Sequence, residues 1–331
     1  MKKTRIIFLI VGIIILLLLF ANFGVKQFTD HIMKLGWKFG IILFICLCNN
    51  IILTYAWRII INFHLPKSYF FKLILARIAG DSSSSINSMG AVAGEAIKAI
   101  YVQDQIPLNV ALASVVLDRT IHTIANIILA LTAISVSFFI LELPLLISFS
   151  AFALFIFLLL IIFVVIKKQR EGLIEYVISK MPRKIIDKIM NENRWEKVRE
   201  FDKEIANIFS SKNNIKKFYI SLIIHYISTI ITQSLEIYLI INFIGVNISL
   251  IDSMLVYAFG LMLTGIIVFI PANLGISEGS YSLILGMLGY DPALGLTTGI
   301  IRRLRTFVWA GIGIIILFYA GLFTKGKNKI K

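Results

Sequence analysis

The sequence predicts an all-α fold, a polytopic membrane helix bundle with about six full spans and two re-entrant hairpins in inverted-topology repeats. Of the 331 residues, 58% are hydrophobic and 15% are charged, and the mean hydropathy is +0.89. Soluble domains carry about 25% charged residues. The 33 basic and 18 acidic residues make 51 charges, of which 22 lie between Lys167 and Lys217. Too few charges remain to cover a water-soluble surface.

Six apolar stretches are long enough to cross the hydrocarbon core of a bilayer, which takes about 20 helical residues. The first follows a basic N-terminus without a convincing cleavage site, so we expect a retained helix rather than a removed signal peptide. The predicted spans are Arg5–Gly24, Phe39–Phe63, Leu108–Leu141, Pro144–Ile166, Phe218–Ile244 and Pro292–Phe323.

Two further segments, Pro66–Tyr101 and Ile251–Tyr290, each hold two short apolar pieces around a polar tip. With six crossings and both termini on one side, each segment must return to the side from which it entered, which predicts a re-entrant hairpin. Irregular backbone at membrane depth is tolerated where protein buries it or water reaches it. Ile251–Ile270 is, however, long enough to span by itself. The predicted tips are Gly80–Ser88 and Pro271–Gly279.

Basic residues indicate the orientation, because Lys and Arg are enriched on the cytoplasmic side of membrane proteins. We expect one transmembrane domain over 1–331, in the plasma membrane, with both termini cytoplasmic. The loop 167–217, with 14 basic and 8 acidic residues, is expected on the same side. Its apolar residues recur at helical spacing and predict an amphipathic helix that rests on the inner leaflet or folds back on the spans. These residues are Trp195, Val198, Phe201, Ile205 and Ile208.

The loop separates two halves, 39–166 and 218–323, that share a pattern. Glu95 in the first hairpin is followed 24 residues later by Arg119, and Glu278 in the second is followed 24 residues later by Arg302. Each hairpin leads directly into a long span that carries the arginine. Because the two copies would begin on opposite membrane faces, they predict an inverted repeat, an architecture of secondary transporters.

Several ionisable residues stand near the centre of the predicted spans. At 1.5 Å per residue, Arg119 lies roughly 18 Å from the start of its helix, and Arg302 and Arg303 lie roughly 15 Å from the start of theirs. A charge that faces lipid at this depth costs about 2.5–3.5 kcal/mol. The arginines therefore either lock the bundle by pairing with buried acids or line a substrate pathway. The candidate acids are Glu95, Asp118, Glu236 and Glu278.

Polar residues also recur at helical spacing on two spans. On the first of these, His122 lies one turn after Asp118 and is either a proton relay or an ordinary interhelical hydrogen-bonding group. The serines of the first hairpin tip either donate hydrogen bonds to a phosphate or fill a solvated loop. The stripes are Ser114, Asp118, His122 and Asn126, and His225, Thr229, Gln233 and Glu236; the serines are Ser82–Ser85 and Ser88.

The formal net charge of +15 does not indicate a nucleic-acid partner, because the surplus lies at the termini and in one loop beside apolar spans. The sequence has no P-loop, no GxSxG elbow, no HExxH and no Cys/His ligand cluster. We therefore predict no catalytic residue, no metal and no cofactor. Cys46 and Cys48, two residues apart in an apolar run, are expected to be packing thiols.

With these motifs, the sequence resembles the lysylphosphatidylglycerol synthase transmembrane-region family from about residue 5 to 323. The segment Met89–Arg119 is similar to the family's Gly-Glu segment, which is followed by a basic residue and an acidic-Arg pair. Lys98 takes the basic position, where Arg is commoner in the family. The segment Ile270–Gly279 is similar to the family's Pro-Gly-Gly-Leu-Gly-x-x-Glu stretch, with Ala272 and Asn273 in place of two glycines.

The resemblance implies a flippase. In the multiple peptide resistance factors, this module moves aminoacylated phosphatidylglycerol to the outer leaflet, and a separate soluble domain performs the lysyl transfer. We expect this chain to lack that domain and to be a transporter of an anionic, aminoacylated or polyprenyl-linked membrane lipid. Two alternatives are a lipid-modifying enzyme with Glu95 or Asp118 as base, and an accessory scaffold for a lipid-synthesis enzyme. The predicted substrate-binding residues are Glu95, Lys98, Asp118, Arg119, His122, Glu278, Arg302 and Arg303.

Overall fold

The computed structural model describes residues 30–31, 33–61, 63–86, 90–140, 145–183, 186, 190–208, 211–266 and 274–320. Over these residues the protein is all-α and contains no strand, which confirms the predicted fold class. The predicted span Arg5–Gly24 lies outside the described residues.

Eleven α-helices of the described ranges form the bundle. In chain order they are α1 (Phe39–Ile60), α2 (Phe70–Ile86), α3 (Gly90–Tyr101), α4 (Leu108–Ile140), α5 (Leu145–Glu171), α6 (Leu173–Ser179), α7 (Glu192–Ile208), α8 (Lys212–Ile244), α9 (Leu250–Ile266), α10 (Ile276–Met287) and α11 (Ala293–Tyr319). Short 3₁₀ turns at Gly36–Lys38 and Lys67–Tyr69 precede α1 and α2.

Three of these helices are long and apolar enough, by length and composition, to cross a membrane. They are the helix that ends in α1 (Met33–Ile60), α4 (Leu108–Ile140) and α8 (Lys212–Ile244). α5 and α9 contain the shorter apolar stretches Phe152–Val165 and Leu250–Gly265. α11 has 27 residues, a length of roughly 40 Å. It carries three arginines, which need partners inside the protein.

The bounds of α8 follow from local chemistry at its two ends. The Ser211 hydroxyl accepts a hydrogen bond from the Asn214 backbone N–H at 3.2 Å, so it caps the first turn. Gly245 adopts a left-handed conformation with φ 103° directly after Ile244, and glycine takes this conformation without the steric cost of a Cβ. The helix therefore runs 33 residues without a break.

Two helical hairpins, α2–α3 and α9–α10, occupy the predicted hairpin segments, and the two arms of each pack against one another. The arms of the first hairpin approach closely at two glycines, because a Cβ on Gly80 would overlap Lys98 and one on Gly94 would overlap the backbone of Gly80. The prediction that residues 80–88 form a non-helical tip is wrong as far as Ile86, since α2 continues helically through the serines. Of the predicted second tip, Gly275 and the start of α10 are described and residues 271–273 are not.

The base of each hairpin is closed by a tyrosine and an aspartate. The Tyr69 hydroxyl, just before α2, donates to Asp104, just after α3, at 2.7 Å. The Tyr290 hydroxyl, just after α10, donates to Asp252 in the first turn of α9, also at 2.7 Å. Each contact joins the beginning of a hairpin to its end.

The hairpins and the long helices that follow them pack crosswise. α2 contacts α11 as well as its own partner α3, and α9 contacts α4 as well as its own partner α10. Each first arm therefore lies against the long helix that follows the other hairpin. This exchange brings the ionisable residues of both sequence halves to the same part of the bundle. The division into two repeat halves remains a prediction.

The amphipathic helix predicted in the charged loop is α7. It packs against α4, α5 and α6. Ile205 is fully buried, whereas Trp195, Val198 and Phe201 are half-buried. Of the two arrangements that the sequence left open, the described contacts are those of a helix folded back on the bundle.

Candidate functional site

A cavity of about 280 Å³ lies among α1, α2, α3, α4, α8, α9 and α11. Seven charged residues line this cavity, four of them basic and three acidic. They are Arg77, Asp81, Glu95, Lys98, Asp118, Arg119 and Arg305. Because the surrounding helices are apolar, such a concentration of charge is expected to face water or a ligand.

Asp118 of α4 anchors one wall of the cavity. One of its carboxylate oxygens, Oδ2, accepts from Arg77 of α2 at 2.7 Å, and the other, Oδ1, lies 3.3 Å from His225 Nε2 of α8. All three side chains are buried. Arg77 also donates to the Leu53 carbonyl of α1 at 3.0 Å. This buried cluster joins four helices.

The close approach of α2 and α3 places Lys98 between two acids. Its ammonium lies 2.7 Å from Asp81 of α2 and 3.3 Å from Glu95 of its own helix. Lys98 is buried, and its alkyl chain lies on Gly80, where any larger residue would displace it. The family-like Gly-Glu-basic segment therefore forms an ion-paired group in the cavity wall.

Arg119 differs from the other basic residues of the cavity. Its side chain is exposed, and its guanidinium makes no hydrogen bond or ion pair with any residue that the structure describes. Two buried neutral donors in the same wall, the Thr229 hydroxyl and the Trp309 indole N–H, likewise lack a partner among those residues. These three groups are available to hydrogen-bond a ligand.

The three arginines of α11 form a second group, which we call the arginine cluster, with Glu236 of α8 and Glu278 of α10. Glu236 lies 2.5 Å from Arg305 and 3.2 Å from Arg302. Arg303 donates twice to Glu278. Arg302 additionally donates to Gln233 at 2.6 Å and stacks against Tyr257 and Tyr281. Arg305 connects the cluster to the cavity, which it lines.

The structure brings together five of the eight predicted substrate-binding residues and separates the other three from them. Glu95, Lys98, Asp118, Arg119 and His122 all line the cavity. Glu278, Arg302 and Arg303 belong to the arginine cluster and are absent from the cavity wall. Arg302, Arg303 and Arg305 are paired with buried acids, whereas Arg119 is unpaired among the described residues; both Arg119 and Arg305 line the cavity. That the arginines line a substrate pathway stays a prediction.

Sequence reasoning missed Arg77 and did not nominate Asp81 or Arg305. Arg77 interrupts the apolar run Leu73–Ala79, and a charge inside such a run indicates a buried ion pair or a functional site, as it does for Arg119. The serine hydroxyls of α2 are already used, since Ser82, Ser83 and Ser84 donate to carbonyls one turn earlier. They are not free donors for a phosphate in this structure.

The chemistry of the cavity is that of ion pairing and hydrogen bonding. Both acids considered as a catalytic base are engaged, Asp118 with Arg77 and Glu95 with Lys98. Within the described ranges, no three His, Cys, Asp or Glu side chains are grouped to hold a metal ion.

Comparison with known proteins identifies the family. The family model described as the lysylphosphatidylglycerol synthase TM region matches residues 5–313, which is most of the chain. No curated protein and no solved structure matches. The family match agrees with the resemblance of the Gly-Glu segment and with the apolar helices described above. This chain is a membrane protein and belongs to the lysylphosphatidylglycerol synthase transmembrane-region family.

Proposed function

We propose that the protein moves a membrane lipid between leaflets and that the cavity holds the lipid's anionic or aminoacylated head group during the passage. The observation that carries the proposal is Arg119, an exposed cation in the wall of a cavity whose other charges are paired. An unpaired cation at membrane depth is costly unless it meets water or an anion. A lipid phosphate supplies the anion.

The size of the cavity favours a head group over a whole lipid. Sites for small molecules measure about 300–1,000 Å³, and a cavity of about 280 Å³ lies just below that range. Acyl or polyprenyl chains do not fit beside the head group and would stay in the bilayer. Sorting lipids by head group, with the tails outside, is what a flippase requires.

The mixture of charges supports a zwitterionic or aminoacylated head group as well as a simple phosphate. Arg119 and the Trp309 N–H can donate to a phosphate, and Asp81, whose side chain is half exposed, can accept from an ammonium group. Phosphatidylglycerol, lysylphosphatidylglycerol and a polyprenyl phosphate are therefore the three lipids to compare.

Lipid movement is tested directly in vesicles. The full chain is reconstituted in phosphatidylcholine vesicles with a trace of each lipid labelled on its tail, and exchange between leaflets is followed by quenching the label from outside. Losing a hydrogen bond to a charged group costs about 1.5–3 kcal/mol, so Arg119→Ala should slow exchange roughly 10- to 100-fold. Arg119→Lys should keep part of the activity.

Arg199→Ala is the matched control, since Arg199 is an exposed arginine on α7 outside the cavity. If Arg119→Ala moves lipid as fast as the parent, the site assignment is wrong. If the parent moves none of the three lipids, the function is wrong. In that case mass spectrometry of lipids from cells with and without the gene separates the alternatives: a missing lipid species would indicate a lipid-modifying enzyme, and co-purification of a synthase a scaffold.

A further inference from the structure

The contact between His225 of α8 and Asp118 of α4 brings together two atoms that, in a neutral imidazole and a carboxylate, both only accept hydrogen bonds. The Nδ1 atom of His225 lies 2.9 Å from the backbone carbonyl oxygen of Ser221. A carbonyl oxygen only accepts, so Nδ1 carries a hydrogen and donates it. In a neutral imidazole the other nitrogen, Nε2, is then a bare acceptor.

That second nitrogen faces another acceptor. Nε2 of His225 lies 3.3 Å from Oδ1 of Asp118, and both atoms are buried and make no hydrogen bond with any residue that the structure describes. The lone pairs of a bare Nε2 and a carboxylate oxygen repel each other, and two unsatisfied buried polar atoms are costly. A proton on Nε2 replaces this repulsion with the attraction between an imidazolium and a carboxylate.

The proton belongs on the imidazole. The other oxygen of Asp118, Oδ2, accepts from the Arg77 guanidinium at 2.7 Å, and an arginine contact favours the ionised carboxylate. The buried group is therefore an arginine, a carboxylate and an imidazolium in a row. Arg77 stays charged at any physiological pH, so the imidazolium is the member that can lose its proton.

A second histidine connects this proton to the cavity. The ring of His122, which lines the cavity, lies edge-on to the ring of His225 with 5.8 Å between centroids. His122 is half-buried, whereas His225 is fully buried. A histidine can pass a proton between neighbours, because each of its two ring nitrogens can carry one. His122 therefore stands between the cavity and His225.

The charges around His225 and Asp118 determine how one proton changes the net charge that a ligand meets in the cavity. The three basic side chains that face this pair from α2, α3 and α4 are balanced by three acidic ones, so an imidazolium adds one positive charge to these six. The six are Arg77, Lys98, Arg119, Asp81, Glu95 and Asp118. From the other helices packed here, α1 contributes the neutral Asn49, α9 contributes Tyr257, and α11 contributes Arg305, which is paired with Glu236.

We infer that His225 and Asp118 form a proton-binding site, reached through His122, and that a proton and an anionic head group occupy the protein together. An anion in the cavity favours the protonated pair, and by reciprocity the proton favours the anion. The coupling rests on the proposed function, whereas the proton site stands on the geometry alone. The proton and the head group bind together and leave together, so the lipid moves with a proton that enters from the more acidic side.

The proton site is tested by nitrogen NMR of the full chain in phosphatidylcholine nanodiscs, with ¹⁵N in the histidine rings. The four histidine signals are assigned by substitution, with His64→Gln as control because His64 is exposed and outside the cavity. At about pH 7 His225 should show two protonated nitrogens, because Nδ1 donates to a carbonyl and Nε2 faces a carboxylate. Asp118→Asn offers Nε2 an N–H donor in place of the carboxylate and should return His225 to the neutral form. A neutral His225 in the parent overturns the site.

The coupling is tested in vesicles with tail-labelled phosphatidylglycerol. Exchange in the parent should become faster as the pH falls from about 8 to about 6, by up to about tenfold per pH unit, the limit for one linked proton. Asp118→Asn should remove this dependence. His122→Phe, which keeps an aromatic ring, should keep the imidazolium signal and weaken the dependence. A parent rate that does not change with pH overturns the coupling. No exchange at all overturns the proposed function and the coupling with it, and the NMR result still decides the proton site.

Discussion

The guanidinium of Arg303 donates two hydrogen bonds to a single carboxylate oxygen of Glu278, from Nε at 2.8 Å and from Nη2 at 2.6 Å. Glu278 is fully buried and opens α10, whereas Arg303 lies in the middle of α11. The charge of Arg303 is thus balanced inside the bundle by a carboxylate from a neighbouring helix. A buried pair of this kind is most sensitive to the loss of one partner.

Glu278→Ala is expected to destabilise the protein by about 3–5 kcal/mol, because it removes the carboxylate that accepts two hydrogen bonds from the half-buried Arg303 guanidinium. The double variant Glu278→Ala/Arg303→Ala should be less destabilised than the sum of the two single variants. Thermal unfolding in detergent, followed by circular dichroism, measures both. Glu200→Ala, an exposed acid on α7, is the control and should stay within about 0.5 kcal/mol of the parent. Additive single effects would contradict the pairing.

Close contact between α10 and α11 depends on Gly295. A Cβ at this position would overlap the backbone of Ser282, which cannot move aside as a flexible side chain would. Gly295→Ala is therefore expected to cost about 1–3 kcal/mol through overpacking. Gly311, on the same helix, has open space around its Cβ position, so Gly311→Ala should be neutral or stabilising by up to about 1 kcal/mol. Equal unfolding midpoints for the two variants would contradict the close contact between α10 and α11 at Gly295.

Stability should depend on Asp104 in the acid range. Burial raises the pKa of Asp104, but hydrogen bonds from Lys72 and Tyr69 outweigh it and leave the pKa below its usual value. A group with a lowered folded-state pKa contributes its stability above the unfolded value, about 3.9 for aspartate, and loses it as the pH falls through the folded value. Asp104→Asn should flatten the decline of the unfolding midpoint below about pH 5. Glu200→Gln is the matched control, and an unchanged decline in Asp104→Asn would exclude this contribution.

Cys46 offers a native chemical probe of the cavity. Its half-buried thiol lines the cavity, whereas Cys48, two residues on, does not. A small thiol-specific reagent is therefore expected to modify Cys46 and to block lipid exchange in reconstituted vesicles. Cys46→Ser should be protected from the block, and Cys48→Ser should remain sensitive. Mass spectrometry identifies the modified residue, and a block that persists in Cys46→Ser would show that the reagent acts elsewhere.

Hydropathy and charge patterning were enough to predict the helices, because each span is determined by its own composition. They also placed Asp118, Arg119 and His122 near mid-depth on one helix, because depth follows from the 1.5 Å rise per residue, and all three line the cavity. They did not distinguish which of the three arginines of α11 reaches the cavity. That depends on the rotation of α11 about its axis, which contacts with α8 and α10 determine. Arg305 lines the cavity, and Arg302, which stood at the repeated spacing, does not.

Arg77 could not be assigned a role from the sequence for a related reason. Its partner Asp118 lies 41 residues away on another helix, and His225 lies more than 100 residues further along. A sequence shows that a charge stands in an apolar run, but the partner that makes the charge tolerable comes from packing. The spacing of Asp118 and His122 suggested a relay within one helix; the contact that formed is between Asp118 and His225 of α8.

The tyrosine–aspartate contacts at the hairpin bases have a mechanical consequence. Because the Tyr69 hydroxyl donates to Asp104, the two arms of the first hairpin are joined at their base. Asp81 and Glu95 lie further along the two arms, in the cavity wall. A tilt of the α2–α3 hairpin about its base would therefore displace these two acids further than it displaces Tyr69 and Asp104.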